Sequence, residues 1–290
     1  MTSAEVLRGY LKTPGKIMVA PGVYDGISAR VAAALGFEVI YVTGAGTSAS
    51  RIGQPDLGLI TMTEMTENAA RIADCSGLPV IADADTGYGN TLNVVRTIRE
   101  YERAGVAAIH IEDQVFPKRC GYLQGKDVIP ARAFVEKIRA AVDSRKSDDF
   151  IVIARTDARA VLGLEEAIER ANLYVEAGAD MAFVEGLESI EEVREIPVRV
   201  KSPCVVNMAG PATKTPAVAV EELRQIGYKI SIYPGVCMAA AINSMREALR
   251  MLKEEGIGWD TMHPMGPHEI FAAVGLEEWK TLEKKYSGAQ

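Results

Sequence analysis

No stretch of this sequence is apolar for the length a membrane span requires, and residues 1–15 lack the basic end and apolar run of a secretory signal. The chain is therefore expected to be soluble, with no membrane partner. Cysteine is scarce. The four, Cys75, Cys120, Cys204 and Cys237, are scattered and form no Cys-x-x-Cys pair. That supports neither a zinc site nor a disulfide framework, and it points to a reducing, cytoplasmic compartment. Positive charge is also short: 32 Lys and Arg stand against 39 Asp and Glu, a formal net charge of −7. Phosphate backbones and anionic membranes are repelled by such a chain, so nucleic acid is not an expected partner. An anionic substrate would need a local positive site. Low-complexity sequence is missing too, so no linker divides the chain.

What is present is a globular composition, 48% hydrophobic and 24% charged, with material for a sizeable core. Eight short β-branched runs stand out, at 17–20, 38–42, 80–84, 107–111, 150–154, 181–184, 204–206 and 229–233. Helical patterns fall between them at 26–34, 64–76, 91–104, 131–144, 165–177, 189–195 and 217–226. Strands alternating with helices imply parallel pairing. Eight such units predict an α/β fold, a (β/α)8 TIM barrel, although an open doubly wound sheet gives the same local signals. Helix starts are marked by capping-box spacing at Thr61 with Glu64 and at Ser189 with Glu192, and by Thr215-Pro216 read as N-cap and first helical residue. Gly36, Gly105, Gly178 and Gly227 each close a helix shortly before a strand. An apolar helix at 238–252 and a short one near 267–274 follow, so residues 1–290 read as one barrel domain with a helical tail over 255–290. In that tail Trp259 and Trp279 are read as packing anchors, His263 and His268 are assigned no role, and Lys280 to Lys285 read as a solvated face.

In a parallel barrel the chemistry sits at the C-terminal strand ends, and here those ends are polar. They carry Thr43-Gly44-Ala45-Gly46, Asp83 with Asp85, His110 with Glu112 and Asp113, Arg155 with Asp157, Glu185 and Asn207. Asp83 and Asp85 are two apart and would share a strand face, as would His110 and Glu112. Asp56, in the segment after the second strand, reaches the same mouth. Carboxylates gathered there either hold a cation, with oxygen ligands suited to Mg²⁺ or Mn²⁺, or cap helices and pair with Lys and Arg. Arg155 either grips a substrate carboxylate through its fork or forms a structural pair with Asp157 or Glu185. Gly44-Ala45-Gly46 either offers backbone N–H groups to an oxyanion or is a plain turn. His110 orients the acids or is a satisfied interior histidine, and the second reading is preferred. The segment from Lys118 to Lys126 is basic, with glycine at 121 and 125, and reads as a mobile lid. Cys120 lies between its charges. A thiol so placed is expected to have a lowered pKa and to exchange protons.

Taken together, Asp83-Ala84-Asp85-Thr86-Gly87-Tyr88-Gly89, Ile111-Glu112-Asp113-Gln114, Pro117-Lys118-Arg119-Cys120-Gly121 and Ile153-Ala154-Arg155-Thr156-Asp157 resemble the isocitrate lyase and phosphoenolpyruvate mutase superfamily. The resemblance runs from Ala20-Pro21-Gly22 to Tyr233-Pro234. It implies a barrel whose eighth helix is swapped between subunits of a dimer, usually within a homotetramer. It also implies Mg²⁺ on Asp83 and Asp85 with Asp56 and Glu112 acting through water. Thr43, Gly44 and Ala45 would hold a 2-oxo or 2-hydroxy acid, Arg155 its carboxylate, and Glu185, Asn207 and Gly121 would make further contacts. Cys120 would be the catalytic proton donor of the lyase branches; phosphonate mutases with an asparagine lid are disfavoured by it. Two departures bear on the substrate. Tyr122 stands where the lyases carry histidine, and the stretch from Tyr233 to Ala241 has no basic residue. An unpaired buried carboxylate is costly, so a dicarboxylate such as 2,3-dimethylmalate is expected, cleaved to pyruvate and a short carboxylate. Carboxyphosphonoenolpyruvate mutase, methylisocitrate lyase and oxaloacetate decarboxylase or hydrolase activities are the alternatives, with a non-catalytic oxo-acid-binding barrel the remaining class.

Overall fold

Eight parallel strands close on themselves in the computed structural model, which describes residues 1–210, 213–256 and 264–287. They are β1 (Met18–Val23), β2 (Ile40–Val42), β3 (Val80–Asp83), β4 (Ala108–Glu112), β5 (Ile151–Thr156), β6 (Met181–Val184), β7 (Cys204–Asn207) and β8 (Ile230–Tyr233). Each pairs with the next, and β8 closes on β1 with Ala20 opposite Ile232. Closure buries nearly every strand residue on both faces, which is why the strands read as unbroken apolar runs instead of alternating ones. The alternative of an open sheet is thereby excluded.

The helices facing the sheet are α2 (Gly26–Ala34), α4 (Met62–Ser76), α5 (Thr91–Arg103), α6 (Ala131–Ser144), α8 (Leu164–Glu176), α9 (Ile190–Arg199) and α10 (Val220–Ile226). Their starts follow local chemistry. Thr61 accepts from the Glu64 N–H while the Glu64 side chain takes the Thr61 N–H, a reciprocal cap. Ser189 caps α9 through the Glu192 N–H. Helix α9 runs past 195 and contains Pro197, which leaves the Val193 carbonyl without its intrahelical donor. The Tyr228 hydroxyl donates to that carbonyl at 2.9 Å. Thr215-Pro216 does not start a helix: α10 begins at Val220 with Ala219 as its cap. Thr215 is buried instead, with its hydroxyl 3.3 Å from that of Tyr122.

Three helices lacked a clear pattern. Helix α1 (Ser3–Lys12) drives Leu7, fully buried, into the N-terminal end of the barrel among Met18, Ile81, Ile151 and Ile230. Helix α3 (Gly44–Ile52) starts at Gly44, so Gly44-Ala45-Gly46 is a helix first turn and not a plain turn. Helix α7 (Ala158–Leu162) is a single short turn after β5.

The C-terminal part differs. Helix α11 (Val236–Glu255) is 20 residues long and buries none of them; Met245 and Leu249 are 55% and 64% exposed. Helices α12 (Pro267–Ala272) and α13 (Leu276–Tyr286) also bury no residue. Trp279 is 67% exposed and so packs little against the described residues; Trp259 and His263 lie outside the described residues. No helix among the described residues is long and apolar enough to cross a membrane.

Candidate active site

The C-terminal strand ends converge as expected. A cavity of about 170 Å³ is lined by Tyr41, Thr43, Ala45, Asp56, Asp83, Cys120, Gly121, Tyr122, Arg155, Glu185 and Asn207, and also by the apolar Ile232, Pro234 and Met238. Strand β3 stops at Asp83, so Asp85 is not on the strand beside it as its spacing suggested. It sits in the following turn with φ 47°, a left-handed conformation uncommon outside glycine and asparagine. Two bonds fix that turn: the Asp85 N–H donates to Asp83 Oδ1 at 2.9 Å, and the Glu112 N–H to the Asp85 carbonyl at 2.9 Å. Asp83 and Asp85 are therefore both buried at the mouth, by different means. The absence of a side chain at Gly44 is required here. A Cβ there would lie 2.5 Å from Asp83 Oδ2, so glycine lets the first turn of α3 approach the acid. Thr43 caps that turn through the Gly46 N–H at 3.3 Å, and first-turn N–H groups lack intrahelical partners.

The acids do not stand alone. Lys118 is 2% exposed, and its ammonium lies 2.6 Å from Asp56 and 2.7 Å from Asp85. Read from sequence as one of several basic lid residues, it is instead the cation between two site carboxylates. Burial raises the Asp85 carboxyl to about 7 against the pull of Lys118, and the neighbouring Asp83 and Asp56 charges add to the rise. Burial also pushes Glu112 well above the usual carboxylate range, opposed by Arg155. Glu112 is fully buried, and neither of its oxygens accepts a hydrogen bond.

His110 is not a merely satisfied interior histidine. A carboxylate oxygen from each of Asp83 and Glu112 and a ring nitrogen of His110 all lie within 4.8 Å of one another. Nε2 is 2.8 Å from the Tyr41 hydroxyl, whereas Nδ1 has no partner. Burial lowers the imidazole to about 4, so it is neutral. Donors of this kind, with Glu112 buried and without a hydrogen-bond partner, fit a divalent cation: a buried carboxylate without a hydrogen bond is costly until a cation or its bound water satisfies it.

Arg155 forms the structural pair with Asp157. It lines the cavity, and its Nε and Nη2 bond the Asp157 carboxylate at 2.9 and 3.1 Å. Glu112 and Glu185 lie 3.3 and 3.9 Å away. Arg155 is the one cation among the described residues lining the cavity. Glu185 in turn accepts from Asn207 Nδ2 at 3.1 Å. Behind β5, Asp113 accepts from the Asp157 N–H, the Thr156 hydroxyl and the Tyr174 hydroxyl, at 2.8–2.9 Å.

The lid lies over this arrangement. Gly121 touches the site so closely that a Cβ would be 2.8 Å from Arg155 Nη2. The Cys120 N–H donates to the Asp56 carbonyl at 3.2 Å. One expectation is reversed: burial pushes the Cys120 thiol up, not down. The flanking basic side chains point elsewhere, Lys118 to the acids and Arg119 to the Gln124 carbonyl, so they do not stabilise a thiolate. Lys118, Tyr41 and Lys126 are the site residues that sequence reasoning missed. A loop lysine is normally solvated, and no spacing distinguishes these two.

Comparison with known proteins agrees with this geometry. The family model described as phosphoenolpyruvate phosphomutase matches residues 7–253. A 2,3-dimethylmalate lyase of Eubacterium barkeri is 44% identical over 288 residues, 99% of each chain. A 2-methylisocitrate lyase of Aeropyrum pernix is 46% identical over 272 residues, covering 93% of this chain and 87% of its own. The solved structure of an oxaloacetate acetylhydrolase bound to 3,3-difluorooxalacetate superposes with a TM-score of 0.95 at 39% identity, over 99% of this chain and 98% of that one.

Proposed function

The chain belongs to the phosphoenolpyruvate phosphomutase family, and from that premise we propose that it is a carbon–carbon lyase acting on a 2-hydroxy dicarboxylate of the 2,3-dimethylmalate type. The observation that carries this reading is the composition of the cavity. A protonated Cys120 thiol lines the same cavity as Arg155 and two of the acids, while Ile232, Pro234 and Met238 add apolar lining and no second cation lines it among the described residues. A third substrate carboxylate has no partner there, but an alkyl-bearing leaving fragment does.

Arg155 and the Gly44 and Ala45 N–H groups fix the carboxylate next to the hydroxyl-bearing carbon, with Glu185, Asn207 and Gly121 shaping the remainder. Asp83 and Asp85, with Asp56 and Glu112 through water, would hold Mg²⁺ or Mn²⁺. When bound, the ion lowers the pKa of the substrate hydroxyl and neutralises charge. Loss of the hydroxyl proton starts the reaction, with Tyr41 on the cavity wall and its hydroxyl 2.8 Å from neutral His110. Cleavage of C2–C3 leaves pyruvate and an enolised carboxylate. Cys120 gives its thiol proton to that carbanion, yielding propanoate when the substrate is dimethylmalate. Burial suits this donor: a thiol kept protonated until the carbanion forms is an acid held ready.

We also read residues 1–290 as one barrel domain with a helical tail over 255–290, in a cytoplasmic enzyme. Helix α11, which fully buries no residue and exposes Met245 and Leu249, supports a homo-oligomer, a dimer of helix-swapped dimers, in which another subunit covers its apolar side.

The test is pyruvate release from 2,3-dimethylmalate with Mg²⁺ and with excess chelator, followed by NADH loss through lactate dehydrogenase. Mg²⁺-dependent release supports lyase and metal together; none from folded, Mg²⁺-loaded protein rejects this substrate. The close superposition on an oxaloacetate acetylhydrolase favours a second reading, for which oxaloacetate incubated in parallel would yield oxalate and acetate.

A further inference from the structure

We propose that Lys126 is the latch of the lid, a positioning residue that ties Gly121 to Asp157 and so couples lid closure to the placement of Arg155. The inference rests on the reading that the lid carries the proton donor.

Lys126 lies between exposed Gly125 and Asp127, yet its side chain is only 3% exposed. A buried ammonium costs several kcal/mol unless fully paired, and this one makes two contacts. It forms an ion pair with Asp157 Oδ1 at 2.9 Å, and it donates to the carbonyl of Gly121. Asp157 is the same carboxylate that binds Arg155 through Nε and Nη2. Gly121 is the residue whose backbone packs against the Arg155 guanidinium. Lys126, Gly121, Arg155 and Asp157 thus form a closed ring of contacts, two members from the lid and two from the end of β5.

The barrel side of the ring is rigid. Asp113 takes the Asp157 N–H at 2.9 Å and is itself held by Thr156, Tyr174 and Arg170. The latch therefore closes on a fixed post. When the lid lifts, Lys126 leaves with it, the Asp157 carboxylate is shared no longer, and Gly121 ceases to confine the guanidinium. Lid position and arginine position are one coordinate. A lysine that only neutralised Asp157 would not need the Gly121 carbonyl, which is next to Cys120 in the chain.

The experiment compares full-length wild type, Lys126→Met and Lys126→Arg by peptide-resolved alkylation of Cys120, with and without Mg²⁺ and oxalate, alongside melting temperature. Peptide resolution separates Cys120 from the other three cysteines. A latch predicts Cys120 labelling faster by about 10-fold in Lys126→Met, protection by Mg²⁺-oxalate largely lost, and Lys126→Arg intermediate. With dimethylmalate, kcat would fall about 100-fold and KM would rise about 5-fold or more, because both the donor and the Arg155 guanidinium are displaced. Wild-type labelling and protection in folded Lys126→Met would overturn the proposal. If that variant does not fold, the same labelling on Lys126→Gln decides the matter. Labelling needs no turnover, so an enzyme inactive on dimethylmalate would reject that substrate and leave the latch still decided.

Discussion

The floor and the mouth of the barrel are built from the same eight strands, yet they obey opposite rules. At the floor, Met18, Ile81, Ile151 and Ile230 meet Leu7 of α1 in a wholly apolar layer. A few residues further along the same strands, Asp83, Glu112 and Arg155 are buried at the mouth beside His110 and Lys118. Strand β3 makes the change in four residues, Val80-Ile81-Ala82-Asp83. The floor lowers free energy by removing apolar surface from water. The mouth holds like charges a few ångströms apart, keeps Asp85 at φ 47° and leaves the Glu112 oxygens without donors. Stability from the floor permits strain at the mouth, as expected where function and not folding selects the residues.

Substitution breaks or confirms this division. The largest effect is expected at the mouth: Asp83→Ala should lower turnover by about 10³-fold or more, since it removes a carboxylate proposed to hold the metal. Its melting temperature should fall only modestly: against the cost of burial, positive neighbours hold the Asp83 carboxyl low, and it accepts the Asp85 N–H at 2.9 Å. A large loss of stability would place Asp83 among the structural residues. Cys120→Ala should lower turnover by about 10²–10⁴-fold while Mg²⁺ and pyruvate binding persist. Unchanged turnover would remove Cys120 as the donor. Leu7→Ala is the converse. It should cost about 2–5 kcal/mol of stability in denaturant titration and leave kcat/KM unaltered wherever the protein is folded.

A titration without substrate sharpens the same contrast. Burial raises Asp85 to about 7 in the fold, whereas an unfolded aspartate titrates near about 4. Between those values the native state binds more protons than the unfolded chain. The stability from the protonated form is complete below about pH 4 and is lost as pH rises through about 7. Metal-free protein should therefore melt at falling temperature across that window. Added Mg²⁺ should reverse the fall by binding the ionised mouth. A melting temperature that climbs from pH 4 to 7 without metal would show that Asp85 is not the group in control.

The floor was the easier part to read. Its strands repeat apolar runs at the spacing a closed parallel sheet needs, and Thr61 with Glu64 marked a helix start by chemistry local to four residues. The acids and Arg155 were legible because strand ends are where a barrel exposes polar groups. What escaped was set at long range. Lys118 is a loop lysine until folding brings Asp56, in another loop, within 2.6 Å of it. Cys120 was expected to have a lowered pKa from its neighbours in sequence, but burial and the turning away of those neighbours decide the matter. Thr215 looked like a helix cap because Thr-Pro favours one locally, and its contact with Tyr122 is between residues 93 positions apart.

The smallest expected effect lies where lid and barrel rim meet. Tyr122 occupies the place of a family histidine, and its hydroxyl reaches Thr215 at 3.3 Å in a part-buried setting. Burial, with Glu185 nearby, pushes the phenol well above its ordinary pKa, so it acts as a neutral hydrogen-bonding group and not as an anion. Tyr122→Phe removes one neutral hydrogen bond, worth about 0.5–1.5 kcal/mol, hence a loss of roughly 2- to 12-fold in kcat/KM if the bond helps hold the lid closed. Tyr122→His should differ in kind. Imidazole is shorter, gives up the Thr215 contact and brings a group that can become cationic, so activity should gain a dependence on pH near about 6.5. If Tyr122→Phe loses as much as Cys120→Ala, the tyrosine belongs with the chemistry of the mouth and not with its rim, and the division drawn between the two would have to move outward to include it.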